Sequence, residues 1–187
     1  ISPRILAFSG SARKNSFNKL AITEAARIAQ GRGLSVTVAD LADYPAVVYN
    51  GDDEDAYGLP ETMRNFKKLL NSHDALLIST PEYNGHITPL LMNLFSWASR
   101  PEGKEAPKEV FAGKPVAMMT ASPGALGGIR AIPRLREVMA DLDCITVPGF
   151  VTINGSGSAF NELGHLKSGA TIEAITSLLD RLVKNTG

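Results

Sequence analysis

The segment that most constrains this chain is 75–79, Ala-Leu-Leu-Ile-Ser. An extended stretch apolar on both faces must be covered on both, which is the condition of a central strand in a parallel sheet. Parallel neighbours need crossover connections, usually helices. The flanking sequence supplies them. Residues 4–8 are a short apolar run that stops at Ser9-Gly10-Ser11. Residues 18–30 place Ala21, Ile22, Ala25, Ile28 and Ala29 at helical spacing and end at Gly31 and Gly33. A second strand is expected over 34–39. A helix over 60–70 sets Met63, Phe66, Leu69 and Leu70 on one face, and a helix over 89–99 turns Leu90, Leu91, Leu94, Phe95 and Ala98 inward. Residues 115–120 read as a fourth strand. A helix over 129–141 carries Ile132, Leu135, Val138 and Met139 on a face, with Pro133 either in its first turn or kinking it. Residues 145–153 supply the last strand, where Pro148 marks an edge or a break. A closing helix spans 170–184. The segment 40–58, with its acidic Asp52-Asp53-Glu54-Asp55, and the polar segment 104–114 read as loops.

This alternation predicts an α/β fold: a flavodoxin-like, doubly wound, five-stranded parallel sheet in the order 2-1-3-4-5. All 187 residues are expected to form one domain. The Gly-Ser-Gly-Ser stretch at 155–158 is the most flexible-looking segment, but it lies too near the C-terminus to separate domains.

Composition excludes several function classes. Lys and Arg number 19, as do Asp and Glu, so the chain offers no broad field for nucleic acid or an anionic membrane. Neutrality also permits self-association. No apolar run approaches the roughly 20 residues that span a bilayer. Residues 1–4 show no signal-peptide pattern, and the single cysteine, Cys144, allows no intrachain disulfide. Both fit a cytoplasmic protein. Cys144, between a helix and a strand, reads as a buried structural thiol. His73, His86 and His165 are scattered without metal-ligand spacing, so no metal is expected. Trp97 on an apolar helix face reads as packing. Arg130, Arg134, Glu137 and Asp141, at helical spacing, read as a surface ladder or a subunit contact.

In an open α/β sheet, ligands bind beyond the carboxyl ends of the strands. The loop after the first strand runs Ser9-Gly10-Ser11-Ala12-Arg13-Lys14-Asn15-Ser16-Phe17-Asn18. Its hydroxyls, its arginine and the helix N-terminus it feeds suit a phosphate monoester. It is neither a P-loop nor Gly-x-Gly-x-x-Gly. Read alone, it is also a polar turn with Ser16 as N-cap. After the third strand, Pro81-Glu82-Tyr83-Asn84-Gly85 could border a planar ring, or be a tight turn whose Asn-Gly pair supplies positive φ. After the fourth, Ser122, Gly124, Gly127 and Gly128 let backbone approach a ligand, or simply make a flexible connection. The fold brings all three loops to one edge. A phosphate cage beside two ring-edge loops describes a mononucleotide with a planar head, and FMN is the leading case.

The motifs Gly-Ser-x-Arg-x-x-Ser-x-Asn at 10–18, Pro-Glu-Tyr-Asn-Gly at 81–85 and Ser-Pro-Gly-x-x-Gly-Gly-x-Arg at 122–130 resemble the NADPH-dependent FMN reductase family, especially its chromate- and quinone-reductase-like branch. Tyr49-Asn50 with Asp52 also resembles a family loop. The resemblance implies that Ser11, Arg13, Ser16, Phe17 and Asn18, with Ser9 at the loop's start, surround the FMN phosphate. It implies that Pro81, Glu82, Tyr83, Asn84 and Gly85 line the isoalloxazine, and that Ser122, Gly124, Gly127 and Gly128 close over it. Relatives carry a lysine before the asparagine of the third helix and an aspartate before its tryptophan; here Met92-Asn93 and Ser96-Trp97 stand instead. That departure bears on subunit contacts, since the family forms homodimers or homotetramers.

The expected activity is hydride transfer from NADPH or NADH, through FMN, to a small-molecule acceptor: quinones, flavins, chromate or azo compounds. The cofactor carries such chemistry, so no acid–base catalyst is nominated. The rivals are a non-enzymatic flavodoxin-type electron carrier and a sensing or assembly module holding FMN structurally. Carriers usually have an acidic surface and a Thr-rich phosphate loop, and this chain has neither. Arg13, Lys14 and Arg100 are the candidates for contact with a nucleotide 2′-phosphate.

Overall fold

The computed structural model describes residues 2–186. Strand β1 (Arg4–Ser9) leads into helix α1 (Phe17–Gly31), then β2 (Ser35–Ala39). Helices α2 (Gly51–Tyr57) and α3 (Glu61–Asn71) precede β3 (Ala75–Ser79). Helix α4 (Pro89–Ala98), β4 (Pro115–Ala121) and α5 (Ala131–Asp141) follow. Two short strands, β5 (Ile145–Thr146) and β6 (Val151–Ile153), a one-turn helix α6 (Ser156–Ala159) and α7 (Gly169–Lys184) complete the chain.

The strands are parallel in the order β2-β1-β3-β4-β5, with β6 also on β4. The expected order therefore holds, and β3 has the expected bounds and is wholly buried. Its side chains divide between two cores. Leu76 and Ile78 meet Phe66, Phe95 and Leu135 on one face, and Ala75 and Leu77 meet Ile22, Ile175 and Leu179 on the other. Phe8 and Phe66 pack edge to face across the first core, with ring centroids 5.4 Å apart.

Three segments differ from expectation. The expected single strand over 145–153 is two strands, because Pro148 cannot donate to a ladder and Gly149 turns the chain at φ 81°. Both pieces pair with β4, at Pro115–Val116 and at Met119–Ala121, so the fifth strand position is kept in two parts. The acidic stretch expected in a loop forms α2. Asn50 caps it by accepting from the Asp52 N–H at 3.0 Å, and Asp52, Asp53 and Glu54 lie in the first turn, where the helix dipole favours negative charge. The Gly-Ser-Gly-Ser stretch is not open coil: it contains the turn of α6, with Ser156 buried. Pro133 sits in the first turn of α5.

Register sets the position of the site. Ser9 pairs with Ser79, and Ser79 with Met119, so β1, β3 and β4 end at one edge. The three loops that follow them emerge together.

Candidate active site

The loop after β1 is shaped by close contacts at Gly10. A Cβ there would sit 2.7 Å from Thr80 Oγ1 and 2.8 Å from Leu91 Cδ1, so only glycine fits. The Thr88 hydroxyl donates to the Gly10 carbonyl at 2.7 Å and caps α4 by accepting from Leu91 N. Beyond Gly10, the Ser9 hydroxyl accepts from Ser11 N at 3.2 Å, and the Ser11 hydroxyl from Arg13 N at 3.2 Å. Ser16 is the N-cap of α1 and takes the N–H groups of Asn18 and Lys19. Ser9, Ser11 and Ser16 are buried, while Arg13 is exposed and its guanidinium has no ion pair among the described residues. A fifteen-residue helix thus points its N-terminus at three hydroxyls and an uncommitted arginine.

Asn18 also ties the strand ends together. Its Nδ2 donates to Ala121 O at 2.9 Å, and its Oδ1 accepts from Ala121 N at 2.9 Å and Ser79 Oγ at 2.8 Å. The amide ties the start of α1 to the ends of β3 and β4 with three hydrogen bonds. It lines the cavity and retains its second Nδ2–H for a ligand.

The 81–85 turn is a two-residue reversal. Tyr83 and His86 exchange backbone hydrogen bonds at 3.0 Å, and Asn84 (φ 54°) and Gly85 (φ 74°) take the left-handed conformations that such a turn requires. Glu82 faces the glycine loop. Its carboxylate accepts from Arg130 Nε at 2.6 Å and Arg130 N at 3.1 Å, so the two ring-edge loops are clamped to each other. Arg130 is thus neither in a free surface ladder nor idle.

In the third loop, Ser122 N bonds Ile153 O, and Ser156 N bonds Ser122 O. Gly127 and Gly128 have φ of 61° and 84°. A Cβ on Gly127 would meet Asn154 N at 3.1 Å, and one on Gly128 would meet Thr120 Cβ at 3.3 Å. The Thr120 hydroxyl beneath is buried with no partner among the described residues.

A cavity of about 200 Å³ lies between the three loops. Of the expected residues it is lined by Ser11, Arg13, Ser16, Phe17, Asn18, Pro81, Glu82, Tyr83 and Ser122. Ser9 supports Ser11 from behind, and Asn84, Gly85, Gly124, Gly127 and Gly128 shape the loops without lining this cavity. Ala121 and Pro123 line it too and were not expected. Arg130 was also missed as a site residue, although it closes the third motif.

Other candidates are committed elsewhere. Arg100 Nε pairs with Glu54 at 2.9 Å, and its guanidinium lies 5.9 Å from the Tyr49 ring centre. The Arg100 hydrogen bond holds the Glu54 carboxyl below its ordinary range, and the hydrogen bond to Glu54 raises the Tyr49 phenol. Asn93 and Trp97 pin the preceding loop: Asn93 Oδ1 accepts from Tyr49 N at 2.8 Å, and Trp97 Nε1 donates to Val47 O at 2.8 Å. Burial pushes the Cys144 thiol up to about 12, far from a nucleophile. Among the described residues, no group of His, Cys, Asp and Glu could hold a metal.

The family model for the NADPH-dependent FMN reductases matches residues 3–157. An NAD(P)H-dependent FMN reductase of Pseudomonas aeruginosa is 36% identical over 181 residues, covering 96% of this chain and 92% of the relative. A quinone reductase of Pseudomonas putida is 35% identical over 159 residues, covering 84% of this chain and 81% of the relative. Among solved structures, FerB of Paracoccus denitrificans, a flavoenzyme NAD(P)H:(acceptor) oxidoreductase, superposes with a TM-score of 0.79 at 26% identity, covering 98% of both chains.

Proposed function

The chain belongs to the NADPH-dependent FMN reductase family, and we propose that its three-loop cavity holds FMN for transfer of reducing equivalents from NAD(P)H to quinones. It is an NAD(P)H-dependent flavin or quinone reductase with FMN as its cofactor. When bound, FMN supplies the two-electron chemistry between nucleotide and acceptor. The chain's residues bind and orient. The Ser11 and Ser16 hydroxyls, the N-terminus of α1 and Arg13 take the phosphate. The Pro81–Gly85 turn and the Ser122–Gly128 loop border the planar ring, held at a fixed separation by Glu82 and Arg130. The Ser11 and Ser16 hydroxyls and the unpaired Arg13, all in the cavity's lining at the start of α1, support this fit.

The observation that carries the proposal is the unpaired Arg13 beside the hydroxyl-lined start of α1. Free flavins, chromate and azo compounds are proposed as further acceptors, since a cavity open at the ring edge selects weakly among flat or small oxidants. Exposed Val47, Val48, Tyr57 and Met92 support self-association as a homodimer or homotetramer, formed as one domain per chain. Among the described residues no helix is long and apolar enough to cross a membrane; a cytoplasmic setting is proposed.

The test is direct. Purified protein should be yellow or bind FMN at micromolar levels, bleach on mixing with NADPH, and turn over a quinone. A protein that binds no FMN refutes the site. One that binds FMN but is not bleached by NADPH or NADH is a carrier rather than a reductase.

A further inference from the structure

A second and larger cavity, about 630 Å³, adjoins the first, and Pro123 lines both. Its size lies within the range of small-ligand sites. One side is the glycine loop at Pro123 and Ala125, and the other is the segment that enters α7. Ile153, Ala159 and Leu166 give it apolar surface, and Lys167, Ser168 and Thr171 give it a cation and hydroxyls. Among the described residues no carboxylate lines it, and α7 has no acid in its first turn. The Lys167 ammonium has no ion pair among the described residues. A cavity with apolar surface, one free cation and no acid suits a base carrying a phosphate.

The wall bearing Lys167 is held in place. Glu24, buried on α1, accepts from Leu166 N at 3.1 Å, and its carboxylate lies 3.1 Å from His165 Nδ1. Lys167 N donates to Ala159 O at 3.0 Å across the cavity's own lining. The Ser156 hydroxyl, buried between the lining residues Gly155 and Ser158, has no partner among the described residues.

A dinucleotide whose nicotinamide meets the flavin must lay its other half beyond the ring-edge loops. Pro123 is where one such loop faces a second cavity. We propose that this groove seats the adenosine arm of the nicotinamide dinucleotide and that Lys167 takes its 2′-phosphate, so that the protein prefers NADPH. The proposal rests on the reductase reading. Of the candidate cations only Lys167 lines the groove: Arg100 is paired with Glu54, Arg13 lines the smaller cavity, and Lys14 lines neither.

Calorimetric titration of the FMN-loaded protein with 2′,5′-ADP and with 5′-ADP tests this. Wild type should bind 2′,5′-ADP more tightly. Lys167→Ala should weaken 2′,5′-ADP about tenfold, the scale of one charge-assisted hydrogen bond, and lower the NADPH-to-NADH ratio of kcat/KM by a similar factor. Lys167→Arg should keep most of the preference. Ala159→Phe, which fills the groove, should weaken both ligands. Equal affinity of wild type for the two ligands, or no change on Lys167→Ala, overturns the proposal. If instead the FMN-loaded wild type oxidises neither nucleotide, it is the underlying reductase reading that fails, however 2′,5′-ADP binds.

Discussion

Glu82 and Arg130, 48 residues apart, are joined twice: the Glu82 carboxylate accepts from Arg130 Nε at 2.6 Å and from Arg130 N at 3.1 Å. The backbone bond fixes the entry to α5, and the side-chain bond fixes the distance between the two loops at the ring edge. Arg130 is 67% exposed at its side chain, so the ion pair contributes little to global stability. Its effect is local. Arg130→Ala should leave thermal unfolding within about 1 kcal/mol of wild type and raise the FMN dissociation constant severalfold. Glu82→Gln should do more, because the backbone N–H then meets a weaker acceptor. Fluorescence titration with FMN checks both, and unaltered FMN affinity in both variants would remove the clamp from the site.

Arg13 and Ser16 should be separable by ligand. Arg13→Ala removes a charge from an exposed position, so folding should be unaffected and FMN affinity should fall about tenfold, as for one charge-assisted hydrogen bond. Riboflavin, which lacks the phosphate, should bind wild type and variant alike. Ser16→Ala should weaken FMN and also cost about 1 kcal/mol of stability through loss of the α1 cap. Loss of riboflavin affinity in Arg13→Ala would place the arginine at the ring instead.

Asn18 predicts a stability effect larger than its ligand effect. Asn18→Ala leaves Ala121 N, Ala121 O and the Ser79 hydroxyl without their buried partners. At about 1–3 kcal/mol for each stranded group, and with some relief from water, roughly 2–4 kcal/mol of unfolding free energy should be lost. Urea unfolding measures it. Asn18→Asp keeps the acceptor but sets a buried carboxylate oxygen against the Ala121 carbonyl, and should cost at least as much as alanine.

The sheet order and the meeting of the three loops at one edge were legible because they depend on local patterns. Apolar runs mark the strands, and unusual residues follow each of them. What was not legible depends on partners distant in sequence. The motif sets Asn18 beside the phosphate loop, and only the approach of Ala121, 103 residues on, reveals that it is also a strut. Arg130 sits at helical spacing with Arg134 and Glu137, which masks its bond to Glu82. The acidic run at 52–55 is a local exception: it has the composition of a solvated loop, and its helix starts at an Asn50 cap with no buried face to mark it. Arg100 pairs with Glu54, 46 residues earlier, a contact that nothing local announces.

Glu24 should make stability depend on acid. Burial acts to raise its carboxyl, but the hydrogen bonds from Arg27, His165 and Leu166 together outweigh that and hold it below its ordinary value of 4.5. A group depressed in the folded state stabilises the fold above the unfolded value and loses that contribution as pH falls through the folded one. Wild type should therefore keep its full stability above about pH 4.5 and lose it progressively below. Arg27 is exposed and supplies the largest lowering contribution, so high salt should diminish the effect and leave the part held by the buried Leu166 N–H. Glu24→Gln should be less stable at pH 7 and show a flatter decline below pH 4.5. It should also loosen the segment from His165 to Ser168, seen as faster amide exchange there than in the strands. A variant with the same acid profile as wild type would assign the loss to other carboxylates, such as Asp74, held low by the Arg4 backbone N–H.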